Sequence, residues 1–449
     1  MNYKNKLLMN AIGAALLSSA STVQAANWLM LQGTEAPGQS ARAKVWGFIQ
    51  AQYQHDNSDA NAGGGYNPPK LIGPNLDDQS AFNVNRARIG VRGTGFPLDS
   101  KVNYFILAEF GNNGITYGDD GKHLTDASIT LNHIPGARIR AGLFKTPGAE
   151  EGLQAIHVFD YINFTTVTNQ LLLERFPNST CDGASPSAGP CVQTTTDLNN
   201  AASPTPDADM NQFSRSVGAF RDVGIQVFDT FKAGTWENSY AIMYGNGNGL
   251  NYGDNDSNKD LYLYLSTENV FGGKGGRREG LKMFAWHQDG KRTNAVNRTQ
   301  EQDRTRSGLG FKYLQRPFRA SAEYMQGKGM IFQGQHRPQH LFNDLEAKGY
   351  YVEGGWYIPN TKWEIDLRYD SYTRDENFKQ PPTSPATPSA PGDESTFDTT
   401  TVGAQYHFNK KTRMNVEYSM RDAKSDTTAI DNNVKGINDR FAIQVTHVF

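Results

Sequence analysis

Residues 363–370 read Trp-Glu-Ile-Asp-Leu-Arg-Tyr-Asp, a strict alternation of apolar and charged side chains. In an extended strand the four apolar side chains share one face and the four charged side chains share the other. The charged face is too polar for the core of a soluble protein, where unpaired buried charges are heavily penalised. The stretch therefore predicts a β-strand with one apolar face and one face turned to water, and 101–111 and 437–449 alternate in the same way.

The whole chain after the N-terminus consists of such segments, separated by Gly, Asn, Asp and Pro clusters. Sixteen strands are predicted, over 44–55, 82–94, 101–111, 124–133, 136–145, 221–231, 235–245, 258–267, 279–290, 303–315, 317–327, 346–358, 361–374, 396–409, 411–422 and 437–449. The links alternate between short and long, and only 268–278 is long for a short link. An all-β, transmembrane, antiparallel up-and-down β-barrel of about 16 strands predicts this rhythm, with tight turns at one rim and long loops at the other.

The first 26 residues have the pattern of an export signal. Lys4 and Lys6 precede an apolar stretch over 7–20, and Val-Gln-Ala at 23–25 suits a signal peptidase, with cleavage expected after residue 25 or 26. An anchoring helix is the alternative, but Asn and Ser residues interrupt the stretch, and spanning a bilayer needs roughly 20 mostly apolar residues. We therefore expect a signal peptide over 1–26 and one barrel domain over 27–449.

Composition and side-chain spacing exclude several functions. Lys and Arg number 44 against 46 Asp and Glu, so no basic excess points to nucleic acid. The nine histidines are scattered, and no Ser/His/acid or paired-carboxylate arrangement is evident, so no enzyme, metal or cofactor is predicted. The only two cysteines, Cys181 and Cys191, lie close together in a polar stretch and are expected to form one disulfide in an oxidising compartment.

The candidate solute contacts are basic residues that lie an even number of positions apart within a strand and therefore share one of its faces. They are Arg86, Arg88, Arg92, Arg138, Arg140, Arg304, Arg306 and Lys312. Their neighbours of opposite parity are mostly apolar, and an arginine facing lipid costs roughly 2–4 kcal/mol at the bilayer midplane, so these side chains should face inward. Two roles stay open: guiding anions, or bracing the wall by pairing with the lumen acids Glu109, Glu323, Glu364, Asp366 and Glu417.

The link 146–220 is too long to be a mere connector. Its part over 155–176 is apolar and aromatic, which suits a loop tucked into a barrel, and contacts between trimer subunits are the alternative. We expect this part to narrow the channel, with Glu150, Glu151, Glu174 and Arg175 as the charged residues of the constriction. The polar part over 177–210 is expected to extend outward and to carry the disulfide.

Several segments resemble the phosphate-selective porin O/P family. They are Phe-Asn-Val-Asn-Arg-Ala-Arg-Ile-Gly-Val-Arg-Gly at 82–93, Ala-Arg-Ile-Arg-Ala-Gly-Leu-Phe-Lys-Thr-Pro at 137–147, Leu-Glu-Arg-Phe at 173–176, Arg-Asp-Val-Gly-Ile-Gln at 221–226 and Asn-Asp-Arg-Phe-Ala-Ile-Gln at 438–444. The resemblance implies a 16-stranded barrel, a homotrimer, and an inward-folded loop after strand five. The chain departs from the family pattern at 148–151, where Gly-Ala-Glu-Glu replaces the usual Phe-Gly.

The leading interpretation is a passive porin in the outer membrane of a Gram-negative bacterium, surrounded by lipid and lipopolysaccharide. It would admit small hydrophilic solutes and prefer anions, with phosphate and other oxyanions as candidates. A 16-stranded barrel is wide enough to leave an aqueous channel. The alternatives are a non-selective or cation-preferring porin, and a structural barrel with a blocked lumen. An outer-membrane enzyme is disfavoured because no nucleophile is identifiable.

Overall fold

The computed structural model of the chain describes its strands and the segments that lie within the barrel. The described residues are 27–35, 42–58, 80–95, 97–113, 115–116, 124–173, 220–250, 254, 257–273, 275–293, 301–331, 346–374, 394–426, 431 and 436–449. The predicted signal peptide lies outside them, as do Glu174, Arg175, Cys181 and Cys191, so those expectations stay predictions. Among the described residues no helix is long and apolar enough to cross a membrane.

Sixteen antiparallel strands close into a barrel, which confirms the predicted fold. They are β1 (Lys44–Asp56), β2 (Ser80–Gly95), β3 (Asp99–Glu109), β4 (Leu124–Leu131), β5 (Arg138–Lys145), β6 (Arg221–Ala233), β7 (Trp236–Gly245), β8 (Asp260–Gly272), β9 (Glu279–Thr293), β10 (Glu301–Gln315), β11 (Phe318–Lys328), β12 (Glu346–Tyr357), β13 (Trp363–Arg374), β14 (Ser395–His407), β15 (Thr412–Ser425) and β16 (Arg440–Val448). Each strand pairs with its sequence neighbours, and β1 pairs with β16 to close the sheet. The sheet formed by the described strands is therefore closed and has no edge strand.

The predicted strand boundaries differ from the observed ones mainly between β8 and β9. The predicted link 268–278 shortens to a turn over 273–278, because β8 runs on to Gly272 and pairs with the start of β9. Asn269 lies opposite Leu281, and a register irregularity follows Val270. With that correction every link at this rim is short, and both the start of β1 and the end of β16 lie there. We call this rim the short-turn rim, and it is the periplasmic one in barrels of this type.

The two faces of each strand have opposite chemistry, as predicted. In β13, Ile365 and Leu367 are 44% and 56% exposed on the outer face, while Glu364, Asp366 and Arg368 are at most 2% exposed on the inner face. The same alternation holds along β16, where Val445 is exposed and its neighbours of opposite parity are buried and polar. The outer wall is therefore apolar and the lumen is lined by polar and charged groups.

Two chain segments occupy the lumen. The first, called the inward loop, is the described part of the link after β5, residues 146–173, and contains α2 (Glu150–Leu153), a 3-10 turn (Ile156–Val158) and α3 (Thr166–Leu171). The second, the N-terminal segment, is residues 27–35 and contains α1 (Trp28–Leu31). An apolar core joins both segments to inner-face side chains of β6–β15. The predicted inward fold of the loop holds for this described part.

Candidate functional site

The inward loop is held against the inner wall by ion pairs and by hydrogen bonds to its backbone. The Lys282 ammonium donates to Glu150 at 2.6 Å, and the Arg368 guanidinium lies 3.6 Å from Glu151. The Asp370 carboxylate accepts from the backbone N–H of Thr166 at 2.7 Å. Two of the three acids predicted at the constriction, Glu150 and Glu151, therefore pair with the wall of β9 and β13, and each is about 3% exposed or less.

The N-terminal segment crosses the lumen below the inward loop, a feature that the sequence analysis missed. The Asn27 amide donates to Ser239 at 2.7 Å and caps α1 by accepting from the Met30 N–H. Gln32 donates to the carbonyl of Leu153 at 3.2 Å, which joins this segment to the inward loop. The signal that could have revealed it is the apolar stretch Trp-Leu-Met-Leu at 28–31, which has no place on a wet surface.

Three of the eight predicted basic residues brace the interior. Arg306 donates to the carbonyl of Leu171 at the end of α3 and to four further carbonyls, those of Thr305, Lys328, Gly329 and Met330. Arg140 donates to Thr34 in the N-terminal segment at 3.0 Å and stacks over Phe228 at 4.4 Å. Arg138 pairs with Asp229 at 3.2 Å. These contacts brace the wall through carbonyls, a hydroxyl and Asp229, and not through the lumen acids that the bracing alternative named.

Three others lie at the boundary between the wall and the inward loop. Lys312 lies 3.6 Å from Glu150 and within hydrogen-bond distance of the Gln154 amide. Arg86 donates to Gln50 on the neighbouring strand at 3.0 Å. Arg304 lies 3.9 Å from Asp260 and lines a small cavity beside the start of the loop. They face the lumen, as their parity predicts.

Arg88 and Arg92 line a larger cavity, which we call the vestibule. Its volume is about 540 Å³, and it lies between the inner faces of β1–β3, the N-terminal segment and Leu153–His157 of the inward loop. Its basic lining residues are Lys44, Arg88, Arg92, Lys145, Arg221 and Lys411, and its acids are Glu35 and Asp126. The structure thus brings two predicted arginines together with four basic residues that the sequence analysis did not select.

The arginines of the vestibule are matched by carboxylates, whereas its lysines are not. Arg88 pairs with Glu109 at 2.6 Å and Arg221 with Asp126 at 3.0 Å, and Arg92 pairs with Glu35 of the N-terminal segment. Within the described part of the chain, no carboxylate lies within ion-pair distance of the vestibule lysines, which are Lys44, Lys145 and Lys411. The vestibule therefore carries an excess of positive charge.

The position of Lys145 is set by the inward loop. Its ammonium donates to the carbonyls of Gly152 and Gln154, at 2.7 and 2.6 Å, so its charge meets only neutral acceptors there. His157 of the loop packs on the rings of Trp46 and Phe48, with centroids 5.8 and 5.1 Å away. Burial, aided by nearby cations, lowers the pKa of His157 to about 4, so at neutral pH it contributes an uncharged ring.

Among the described residues no group of three or more His, Cys, Asp or Glu side chains is placed to hold a metal ion. Many acidic side chains of the described lumen lie beside arginines or lysines, as around Asp160, which has Arg277, Arg319 and Arg413 within 4 Å. The described lumen thus combines ion-paired walls with one basic vestibule.

The model of the family described as phosphate-selective porin O and P matches residues 64–449, which is most of the chain. The match covers β2 through β16. A search of curated protein sequences finds no match.

Solved structures share the fold at low sequence identity. The anion-selective porin from Comamonas acidovorans is 13% identical, with 92% of this chain and 100% of that chain covered and a TM-score of 0.52. The outer membrane channel DcaP of Acinetobacter baumannii is 12% identical, with 93% and 100% covered and a TM-score of 0.51. A loop L8 deletion mutant of OmpT, from Vibrio cholerae, is 12% identical, with 91% and 99% covered and a TM-score of 0.50. At these identities the likeness establishes the barrel fold.

Proposed function

The chain belongs to the phosphate-selective porin O and P family and is thus a porin of the Gram-negative outer membrane, and we propose that small hydrophilic solutes diffuse through it passively, with anions preferred. The observation that carries the preference is the vestibule. Its lysines lack carboxylate partners within the described residues, while its arginines have them. Fixed positive charge in a confined channel raises the local concentration of anions and lowers that of cations.

Charge at the mouth of the vestibule makes the proposal testable. Lys44 and Lys411 are exposed at the short-turn rim, so neutralising them leaves no buried partner behind. In planar bilayers under a KCl gradient, the reversal potential of the wild type should indicate preference for chloride. The double variant Lys44→Gln/Lys411→Gln should move that potential towards zero, and more so at low salt, because screening weakens with ionic strength.

Lys410 provides a matched control. It is the neighbour of Lys411 in the same turn, is exposed, and does not line the vestibule. Lys410→Gln should keep the wild-type reversal potential. A wild-type preference for potassium would refute the proposed anion preference, and the absence of any ion current would indicate a blocked barrel. Phosphate is to be tested beside chloride as a permeating anion.

Two further expectations of the sequence analysis belong to this proposal. We propose that residues 1–26 are removed on export, which N-terminal sequencing of the protein from outer membranes would test. We propose that the barrel assembles as a homotrimer embedded in lipid and lipopolysaccharide. The apolar outer wall supports the lipid contact. Cross-linking in native membranes should give a species of three chains, and a single-chain species alone would refute the trimer.

A further inference from the structure

The vestibule combines its positive charge with aromatic rings. Binding of an inorganic anion would not account for these rings. The rings of Trp46 and Phe105 lie 6.1 Å apart and 15° from parallel, and Phe48 lies 6.3 Å from Trp46. All three side chains line the cavity. The face of an aromatic ring is electron-rich and repels a bare anion, so these rings disfavour chloride or phosphate contact while offering a surface to another ring.

The rings are held in place by arginines whose charge is already balanced. The Arg88 guanidinium lies 5.7 Å from the centroid of Phe48, and that of Arg92 lies 6.0 Å from the centroid of Phe105. Because these arginines pair with carboxylates, they orient the rings without supplying net charge. The lysines at the exposed end, Lys44 and Lys411, therefore carry the attraction for an anion.

We propose that the vestibule is a binding site for aromatic carboxylates, whose ring packs on Trp46 and Phe105 while the carboxylate meets the vestibule lysines. The proposal rests on the proposed anion-preferring channel and names the class of solute that this channel favours. The cavity volume of about 540 Å³ lies within the range of roughly 300–1,000 Å³ for small-molecule sites. One benzene ring needs an apolar cavity of only about 150 Å³, so the ring and its carboxylate fit with water to spare.

The location of the vestibule gives such binding a consequence for transport. It lies between the inward loop and the short-turn rim, so a solute that has passed the loop meets it before leaving the barrel. A solute held there obstructs the passage of chloride. Aromatic carboxylates should therefore cross with saturable flux, and they should block chloride current at concentrations at which aliphatic carboxylates do not.

The test is block of chloride current in planar bilayers by sodium benzoate added at the short-turn side. Acetate supplies the charge without the ring, benzamide supplies the ring without the charge, and inorganic phosphate is a purely polar anion. The half-blocking concentration of benzoate should be about tenfold lower than that of the other three, because a ring contact and a charge contact each contribute several-fold to affinity.

Ring variants identify the site. Trp46→Leu and Phe105→Leu, made separately in case one of them fails to fold, should each raise the half-blocking concentration of benzoate about fivefold and leave that of acetate unchanged. Phe408→Leu is the control, because Phe408 is 46% exposed at the same rim and does not line the vestibule. Equal block by benzoate and acetate, stronger block by phosphate, or no effect of either folded ring variant would overturn the proposal.

A second measurement in the same planar bilayers distinguishes failure of the aromatic-carboxylate proposal from failure of the proposed anion preference. The reversal potential in KCl without benzoate reports the charge preference alone. Preference for chloride together with equal block by benzoate and acetate overturns the aromatic site and leaves the anion-preferring porin intact. Preference for potassium overturns both.

Discussion

Arg277, in the turn between β8 and β9, lies 2.5 Å from Asp160 in the inward loop. The loop leaves the wall at the end of β5, on the side of the long links, whereas this turn belongs to the short-turn rim. The same guanidinium donates to the carbonyl of Val158 at 3.1 Å and to the Tyr357 hydroxyl at 2.7 Å. Burial lowers the pKa of Arg277, but Asp160, Tyr357 and Glu364 together outweigh burial and raise the pKa, which keeps the guanidinium charged. One arginine thus ties the middle of the loop to the opposite rim.

Arg277→Ala should loosen the inward loop. Removing one partner of a buried ion pair can cost about 3–5 kcal/mol. We expect a smaller loss, of about 1–3 kcal/mol, because Arg319 remains 3.4 Å from Asp160 and the Arg277 side chain is 23% exposed. Single-channel recordings should show larger current fluctuations than the wild type. When samples are heated before gel electrophoresis, the band of the folded barrel should disappear at a lower temperature than the wild-type band.

The control for Arg277 is Arg316, an exposed arginine in the turn between β10 and β11 that stacks over Tyr357 at 5.0 Å. Arg316→Ala should keep wild-type current noise, because it makes no described contact with the loop. If Arg277→Ala showed the same current noise as Arg316→Ala, the contact between Arg277 and the loop would not be what holds the loop in place.

Arg306 should contribute more to stability than to selectivity. Its guanidinium is 1% exposed and meets carbonyl oxygens, so Arg306→Gln leaves several buried acceptors without a donor, at about 1–3 kcal/mol each. The temperature at which the folded gel band disappears should fall clearly, while the reversal potential in KCl stays near that of the wild type. Lys328→Gln, at an exposed residue of β11, is the control and should change neither quantity. A shifted reversal potential in a stable Arg306→Gln would instead give Arg306 a part in guiding anions.

The faces on which Arg306 and Arg140 lie could be predicted from the sequence, but their contacts with distant segments could not. Alternation with a period of two is local, so it predicted the sixteen strands and the face on which Arg306 and Arg140 lie. The position of a residue in the alternation tells which face of the barrel wall its side chain occupies. It does not tell which other segments of the chain pack against that side chain. One partner of each arginine, the Leu171 carbonyl for Arg306 and the Thr34 hydroxyl for Arg140, belongs to the loop or to the N-terminal segment and lies more than 100 residues away in sequence. Lys44 and Lys411 lie at strand ends, where no alternation marks them, and only the closed barrel brings them to one cavity.

Glu109→Gln should strengthen the preference for anions. The carboxylate balances Arg88 and accepts from the backbone N–H groups of Ala87 and Gly111, at 2.8 and 2.9 Å. The amide keeps an acceptor oxygen but removes one negative charge beside the vestibule, so the charge of Arg88 is no longer compensated. The ratio of chloride to potassium permeability should rise by about twofold in 0.1 M KCl.

The matched control for Glu109 is Asp56, a buried carboxylate at the end of β1 on the side of the long links, which pairs with Arg421 and Arg440 at 2.6 and 2.8 Å. Asp56→Asn removes the same charge from a position that does not line the vestibule, so the permeability ratio should stay close to that of the wild type. A similar rise in both variants would mean that selectivity follows the total lumen charge, and the vestibule would lose its special role.

The N-terminal segment should narrow the channel from the short-turn side. Trp28, Leu29 and Met30 are at most 7% exposed and belong to the apolar core that joins both lumen segments. Replacing all three with Ser removes the apolar contacts that hold α1, while the barrel hydrogen bonds, which lie in the strands, are untouched. Because the freed segment would no longer fill the vestibule side of the lumen, single-channel conductance should rise, by about 1.5-fold or more for a wide lumen of this strand number.

The triple Ser variant should also change the charge of the vestibule, because Glu35 belongs to the N-terminal segment. Glu35 should leave Arg92 together with the segment, which adds positive charge to the vestibule, so conductance and chloride preference should rise together. Glu35→Gln alone is the control: it should raise the chloride preference and leave the conductance of the open channel unchanged. If the triple Ser variant conducts like the wild type although α1 has become accessible to protease, the segment fills space that permeating ions do not use, and the route through the barrel passes elsewhere.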